Sequence, residues 1–174
     1  MKRAPLSAIL LAAAAVLGLA AANRPEAHPL PAGTVADRVV VDKDQRTLTL
    51  MRGAAALKTY PVSLGGAPAG HKRREGDERT PEGVYRLDSR NPRSSNHLAL
   101  HVSYPAPADM AAARARGESP GGQIMVHGIK NGAGWIGRLH RLADWTDGCI
   151  AVTNREMDEI WRVVPVGTPI EIRP

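Results

Sequence analysis

The chain has 174 residues, 43% of them hydrophobic, with 23 Lys+Arg against 17 Asp+Glu for a net charge of +6, one cysteine, three Trp, three Tyr and no Phe. That length suits one domain with a core of its own, and a lone cysteine excludes an internal disulfide. Scattered basic residues with so few aromatics exclude a nucleic-acid stacking surface, so no nucleic acid is expected as a partner.

Lys2 and Arg3 precede an uncharged stretch from Ala4 to Ala22 that closes on Ala20-Ala21-Ala22. The pattern predicts a secretory signal peptide over residues 1–22, cleaved after Ala22; an uncleaved anchor is the weaker reading of so alanine-rich a stretch. Export places the protein in the periplasm or cell envelope. The mature chain would carry 21 Lys+Arg against 17 Asp+Glu, and this net +4 suits an anionic polymer or envelope surface. No cysteine follows the apolar run, which excludes lipid attachment there.

Residues 23–34, rich in Pro, Ala and Gly, read as a flexible lead-in, with a single domain over 35–174. Arg38–Asp42 and Thr47–Met51 are β-branched runs around a turn-prone Asp42-Lys43-Asp44-Gln45, a hairpin signature, and Leu57–Leu64 reads as a third strand. The five glycines of the polar Gly65–Gly83 stretch predict a long loop. Its Gly65-x-x-x-x-Gly70 spacing is followed by His71-Lys72-Arg73 and not Lys-Ser/Thr, which excludes a phosphate loop.

Val84–Leu87 and His97–Tyr104 resume strand alternation. His97 and His101 would lie on one face about 13 Å apart, too far to share a metal. Asp109–Arg116 reads as a short helix stopped by Gly117, and Gln123–His127 as a short buried strand. Thr153-x-x-Glu156 is a capping box leading a helix with Met157, Ile160, Trp161 and Val164 at helical spacing, and Thr168–Ile172 is a closing strand. The sum is a mainly β domain with two short helices.

Cys149 lies in the run Asp144-Trp145-Thr146-Asp147-Gly148-Cys149-Ile150. A free thiol is only a few per cent thiolate at neutral pH and needs a neighbouring base to act as a nucleophile. His127, at a strand end beside Gly128, is the candidate, reached if the two segments are adjacent strands joined by the Lys130–Asp144 loop. Gly148 permits close backbone approach, and the amides of Asp147, Gly148 and Cys149 could converge on an oxyanion. Arg138, His140 and Arg141 in the intervening loop suit substrate carboxylates. Trp135 is a candidate cleft wall, Trp145 is expected in the core, and Asp144 is expected to orient His140 or a loop arginine. Competing readings are an inert buried cysteine with a core histidine, and a metal site of Cys149, His127 and His140, which lacks a fourth ligand.

These residues resemble the L,D-transpeptidase family of the YkuD type, whose signature is His-Gly at a strand end, a loop, then Ser/Thr-x-Gly-Cys and an apolar residue. His127-Gly128 and Thr146-Asp147-Gly148-Cys149-Ile150 match it, and Gly76-Asp77-x-x-Thr80-Pro81-Glu82-Gly83-x-Tyr85 is similar to a stretch preceding the catalytic half. The resemblance runs from Val35 to Arg173. It implies a mixed β-sandwich and supports catalysis by Cys149 and His127; a monomer with no metal and no cofactor is expected. It also implies peptidoglycan stem peptides as substrate: attack between the L-centre of diaminopimelate and D-alanine, a thioester, and transfer to an amine on a second stem peptide or an envelope protein.

Two departures stand out. Many members carry His before Gly-Cys and Arg two residues after the cysteine, where this chain has Asp147 and Ala151. The changed charges bear on acceptor choice. Release by water instead would make the chain an L,D-carboxypeptidase or amidase, and a non-catalytic wall-binding module is the remaining alternative.

Overall fold

The computed structural model describes residues 28–174, so the expected signal peptide and the first part of the lead-in lie outside the described residues. The elements in chain order are β1 (Arg38–Asp42), β2 (Thr47–Arg52), β3 (Ala55–Pro61), β4 (Gly83–Ser94), β5 (His97–Val102), α1 (Pro107–Ala115), β6 (Met125–His127), a 3-10 segment (Gly134–Leu142), β7 (Ile150–Ala151), α2 (Asn154–Val163) and β8 (Thr168–Arg173). The fold is mainly β, as expected. All eight strands join one mixed sheet in the order β3-β2-β1-β8-β4-β5-β6-β7.

Alternation dictates the inner face. Val39 and Val41 of β1 and Leu48 and Leu50 of β2 are fully buried, and their neighbours point outward. The sheet curls until its ends meet. The chain leaving β3 bridges β7, with the Ser63 N–H donating to Ala151 O at 3.0 Å and the Ala151 N–H returning to Ser63 O at 2.8 Å. This is why the third strand does not run on to Leu64: the Val62 N–H still donates to Arg46 O at 2.9 Å beside β2, but Ser63 and Leu64 have changed partner, to Ala151 and Thr146. Helix α2 supplies Met157, Ile160 and Val163 to the enclosed core. The Thr153 side chain accepts the Glu156 N–H and the Glu156 carboxylate accepts the Thr153 N–H, the capping box read from sequence.

Other boundaries also differ from expectation: β5 stops at Val102 and β6 starts at Met125. β4 continues past Leu87 to Ser94, because Asp88–Arg93 pairs with β5 as a ribbon with little burial on either face, so no apolar period betrays it. α1 begins at Pro107, where a proline loses no helical hydrogen bond. The Lys130–Asp144 connection contains 3-10 turns, broken at Gly137 (φ 51°, ψ −131°), a conformation that glycine adopts without strain.

Residues 28–34 lie against the body. The Leu30 N–H donates to Glu159, and Arg162 donates to Pro31 O at 3.1 Å. Among the described residues no helix is long and apolar enough to cross a membrane.

Candidate active site

β6 and β7 are adjacent and parallel, with Val126 opposite Ile150 and His127 opposite Ala151. One residue further back sets Cys149 beside Met125. Alternation then puts Met125, His127, Cys149 and Ala151 on one face, with Val126 and Ile150 turned into the core. The Cα atoms of Cys149 and His127 are on this geometry about 8 Å apart, within reach of an imidazole and a thiol. The expected adjacency of the two segments is therefore present.

His127 is buried, and its Nδ1 lies 2.6 Å from Gly128 O. A carbonyl only accepts, so Nδ1 carries the proton and the Nε2 lone pair is left for chemistry. Burial pushes the His127 pKa below its ordinary value, with the Gly128 hydrogen bond working in the opposite direction. Gly128 is packed so closely that a Cβ would stand 2.8 Å from Asn154 Oδ1 and 2.9 Å from His97 Cβ. Asn154 in turn accepts the Ile129 N–H at 2.8 Å, tying this strand end to the start of α2.

The half-buried Cys149 thiol donates to Gln123 O at 3.5 Å. Burial raises the thiol pKa; the Met125 backbone hydrogen bond opposes this, Asp147 raises it further and Lys72 lowers it. The turn before it is built on Thr146, whose hydroxyl donates to Cys149 O at 2.7 Å and accepts the Gly148 N–H at 3.2 Å. Gly148 has φ 118°, and a Cβ there would meet Arg79 O at 2.4 Å. With the Gly148 amide taken by Thr146, the Asp147 and Cys149 amides are the remaining candidates to face an oxyanion.

His140 is buried beside this pair. Ser63 Oγ donates to His140 O at 3.2 Å and lies 3.3 Å from Nδ1, and the Trp145 indole N–H reaches the same Nδ1 at 3.4 Å. An indole can only donate, so Nδ1 is the acceptor and Nε2 carries the proton. That buried Nε2–H has no partner among the described residues. Burial drives the His140 pKa down to about 4, assisted by the charges of Arg141 and His127. Trp145 is 39% exposed and stands edge-on to both rings, at 5.8 Å from His127 and 6.3 Å from His140. It walls the site instead of filling the core: the ring is held between two histidines and its other side faces solvent.

The remaining candidates are dispersed. Arg141 is turned away and pairs with the Glu156 carboxylate at the start of α2. Arg138 and Trp135 are exposed on the 3-10 segment. Asp144 binds neither His140 nor a loop arginine. It accepts Arg46 of the β1–β2 turn at 3.0 Å and the Leu64 N–H at 2.9 Å, because the sheet's closure brings that turn alongside. His97 and His101 pair with separate carboxylates, Asp158 and Asp88, each at 2.7 Å. Among the described residues no three His, Cys, Asp or Glu are gathered as a metal site, Cys149, His127 and His140 included.

Sequence reasoning did not single out Lys72 or Gln123, both of which line a cavity of about 510 Å3 with Asp147. The signal that could have found Lys72 is the Gly76-Asp77 motif five residues on. Burial disfavours the Asp77 charge, yet the Lys72 ammonium and the N–H groups of Arg73, Arg74 and Arg79 hold its pKa at about 2. The loop is thereby folded around a fixed Lys72–Asp77 pair at 2.8 Å.

A thiol on the turn that enters β7, a histidine at the end of β6 with its Nδ1 held by Gly128 O, and a curled mixed sheet make up this site. The L,D-transpeptidase catalytic domain model (YkuD) matches residues 36–172, and the chain belongs to that family. No curated protein matches. Among solved structures the chain is similar to the helical cell shape determining protein Pgp2 from Campylobacter jejuni, at 22% identity and TM-score 0.62 over 91% of this chain and 54% of that one. It is similar also to Bd1075 of Bdellovibrio bacteriovorus (24%, TM-score 0.54, 84% of this chain and 53% of that one). A third is an L,D-transpeptidase from Mycobacterium smegmatis (20%, TM-score 0.52, 80% and 59%). The chain thus aligns with little more than half the length of these proteins, and the likeness is one of fold.

Proposed function

We propose that the chain is an exported cysteine acyltransferase of the cell wall, with Cys149 as nucleophile and His127 as base and then acid. The observation that carries the reading is the common face of His127, at the end of β6, and Cys149, immediately before β7, with His127 Nδ1 pinned to Gly128 O at 2.6 Å. His127 Nε2 takes the thiol proton as sulfur attacks the carbonyl carbon at the L-centre of diaminopimelate in a stem peptide. The Asp147 and Cys149 amides face the developing oxyanion. The C–N bond breaks, His127 delivers the proton to the leaving D-alanine amine, and a thioester remains. An amine then attacks the thioester to give L,D-transpeptidation; attack by water gives the L,D-carboxypeptidase outcome.

On this reading residues 1–22 are a leader removed on export to the periplasm or envelope, and 35–174 form the catalytic domain. The test is intact mass after exposure to a carbapenem, beside turnover of a stem tetrapeptide followed by mass spectrometry. An adduct and turnover that both vanish in Cys149→Ala are expected. A Cys149→Ala chain that still turns over tetrapeptide, or a wild-type chain that neither acylates nor turns over, overturns the reading, and the second result leaves the wall-binding module.

A further inference from the structure

The loop folded around the Lys72–Asp77 pair borders a second cavity, of about 490 Å3, which contains none of the candidate catalytic residues. It is lined by Arg73, Arg74, Arg79 and Arg116, with Asp77 and Glu118 as its acids. Both acids are already answered. Asp77 is held by Lys72 at 2.8 Å and by the N–H groups of Arg73, Arg74 and Arg79, and Glu118 by Arg116 at 2.8 Å. The side chains of Arg73 and Arg74 are exposed and make no ion pair or hydrogen bond among the described residues, and Arg79 reaches only His71 O, at 3.5 Å.

The frame is fixed while these guanidinium groups stay uncommitted. Arg116 donates to Arg73 O at 2.6 Å across 43 positions, which ties the loop to the end of α1 around the cavity. Like charges gathered in a concavity repel, and the field they focus is relieved by an anion. No aromatic ring lines the cavity to stack a base. Guanidinium forks match phosphate oxygens two at a time, and a phosphate has oxygens for more of these arginines than the two of a carboxylate.

The source of that phosphate is indicated by α1, which runs into Arg116. Met110, Ala111, Ala112, Arg114 and Ala115 are exposed along it, Met110 at 48%. Its one acid, Asp109, is turned inward, where it accepts the Tyr85 hydroxyl at 3.1 Å and the Ala106 N–H at 2.8 Å and pairs with His71 at 3.1 Å. The outward face is thus apolar and basic with no carboxylate. Met110 and Arg114 line a further cavity of about 380 Å3 that shares Glu118 with the arginine cavity, so the two surfaces are continuous. An apolar and basic face of this kind is complementary to the head-group layer of an anionic bilayer.

We propose that the arginine cavity and the outer face of α1 are a docking surface for an anionic lipid bilayer, with Arg73, Arg74, Arg79 and Arg116 taking lipid phosphates and Met110 resting among the head groups. The inference stands apart from the acyltransferase reading: it involves neither Cys149 nor His127, and its test reads binding, not turnover.

The test is cosedimentation of the chain, as recovered after export, with vesicles of phosphatidylglycerol in phosphatidylcholine and with vesicles of phosphatidylcholine alone. Whatever is retained of residues 1–22 is common to every chain compared, so only differences between chains and between vesicles are read. Arg73→Gln with Arg74→Gln removes two exposed guanidinium groups and leaves the backbone donors to Asp77 in place. The double variant should bind anionic vesicles about 25-fold more weakly, about fivefold for each arginine at the surface. Arg52→Gln with Arg155→Gln, the same charge change at exposed positions that line neither cavity, should alter binding by no more than about twofold at physiological salt. Met110→Glu, which puts a carboxylate on the outer face of α1, should weaken binding about fivefold. Glycerol phosphate, the head group without its chains, should fail to displace the chain from vesicles. Binding that does not distinguish anionic from neutral vesicles, equal loss in the two double variants, or an unaltered Met110→Glu overturns the inference. Complete displacement by glycerol phosphate overturns it too, since the cavity would then take a free phosphate and not a bilayer.

Discussion

His140 is where acid should first be felt. Its ring is 6% exposed and titrates at about 4 in the fold, against 6.5 in a free chain, because burial penalises the cation and Arg141 and His127 add repulsion. A group whose folded pKa is depressed contributes stability that is fully present above its free-chain value and lost as pH falls towards the folded value. At 1.36 kcal/mol per pH unit the gap is worth about 3 kcal/mol by pH 4, and about 2 kcal/mol of it is gone by pH 5. In His140→Gln the side-chain amide replaces the Nδ1 acceptor for Trp145 but cannot titrate. At pH 7 the variant should be less stable by about 1–3 kcal/mol, for lost packing and an imperfect hydrogen bond. Urea unfolding followed by tryptophan fluorescence should then find that deficit smaller by about 2 kcal/mol at pH 5. Other titrating groups are common to both chains and cancel in the difference. A deficit equal at pH 7 and pH 5 would refute the argument, since it would mean that the ring can be protonated in place.

The proposed dyad makes a related prediction on rate. Burial lowers the His127 pKa and raises that of Cys149, so kcat/KM should climb as His127 loses its proton below pH 6.5 and stay level to pH 8, while iodoacetamide alkylation of the free thiol keeps rising beyond pH 9; alkylation already at plateau by pH 6 would show a resting thiolate instead. Glu156→Gln strands Arg141 while keeping the cap geometry, and one-sided loss of a pair whose carboxylate is 2% and guanidinium 16% exposed should cost about 2–4 kcal/mol. Arg141→Met in the same chain should recover most of that loss in urea unfolding, and a neutral Glu156→Gln would contradict the buried pair.

What could be read from sequence was local in its physics. The alternation of Val39 and Val41 with polar neighbours, the Thr153–Glu156 cap and the glycine-flanked thiol each depend on residues a few positions apart. The strands at His127 and Ile150 were legible because a histidine at the end of an apolar run has one sensible direction to face. What escaped depends on closure of the sheet. Arg46 and Asp144 are 98 positions apart and meet only because Ser63 bridges Ala151, and Arg141 finds Glu156 only because α2 starts beneath the 3-10 segment. Trp145 was expected in the core because an indole is mostly apolar, yet its N–H needs an acceptor, and the one it finds is at the rim. β4 beyond Leu87 had no apolar signal, since its stability comes from backbone pairing with β5.

Asp147, the departure from the commoner motif noted in the sequence, acts on the proposed chemistry through its charge. Next to the thiol it raises the pKa, so it opposes formation of the nucleophile, and a histidine there would not. The fixed Lys72 works the other way on the same sulfur. A thiol that rests protonated over the Gln123 carbonyl is protected from adventitious alkylation, and the proton need move only when a bound carbonyl presents the oxyanion to the turn amides. Once the thioester has formed the sulfur carries no charge, and the penalty imposed by Asp147 disappears.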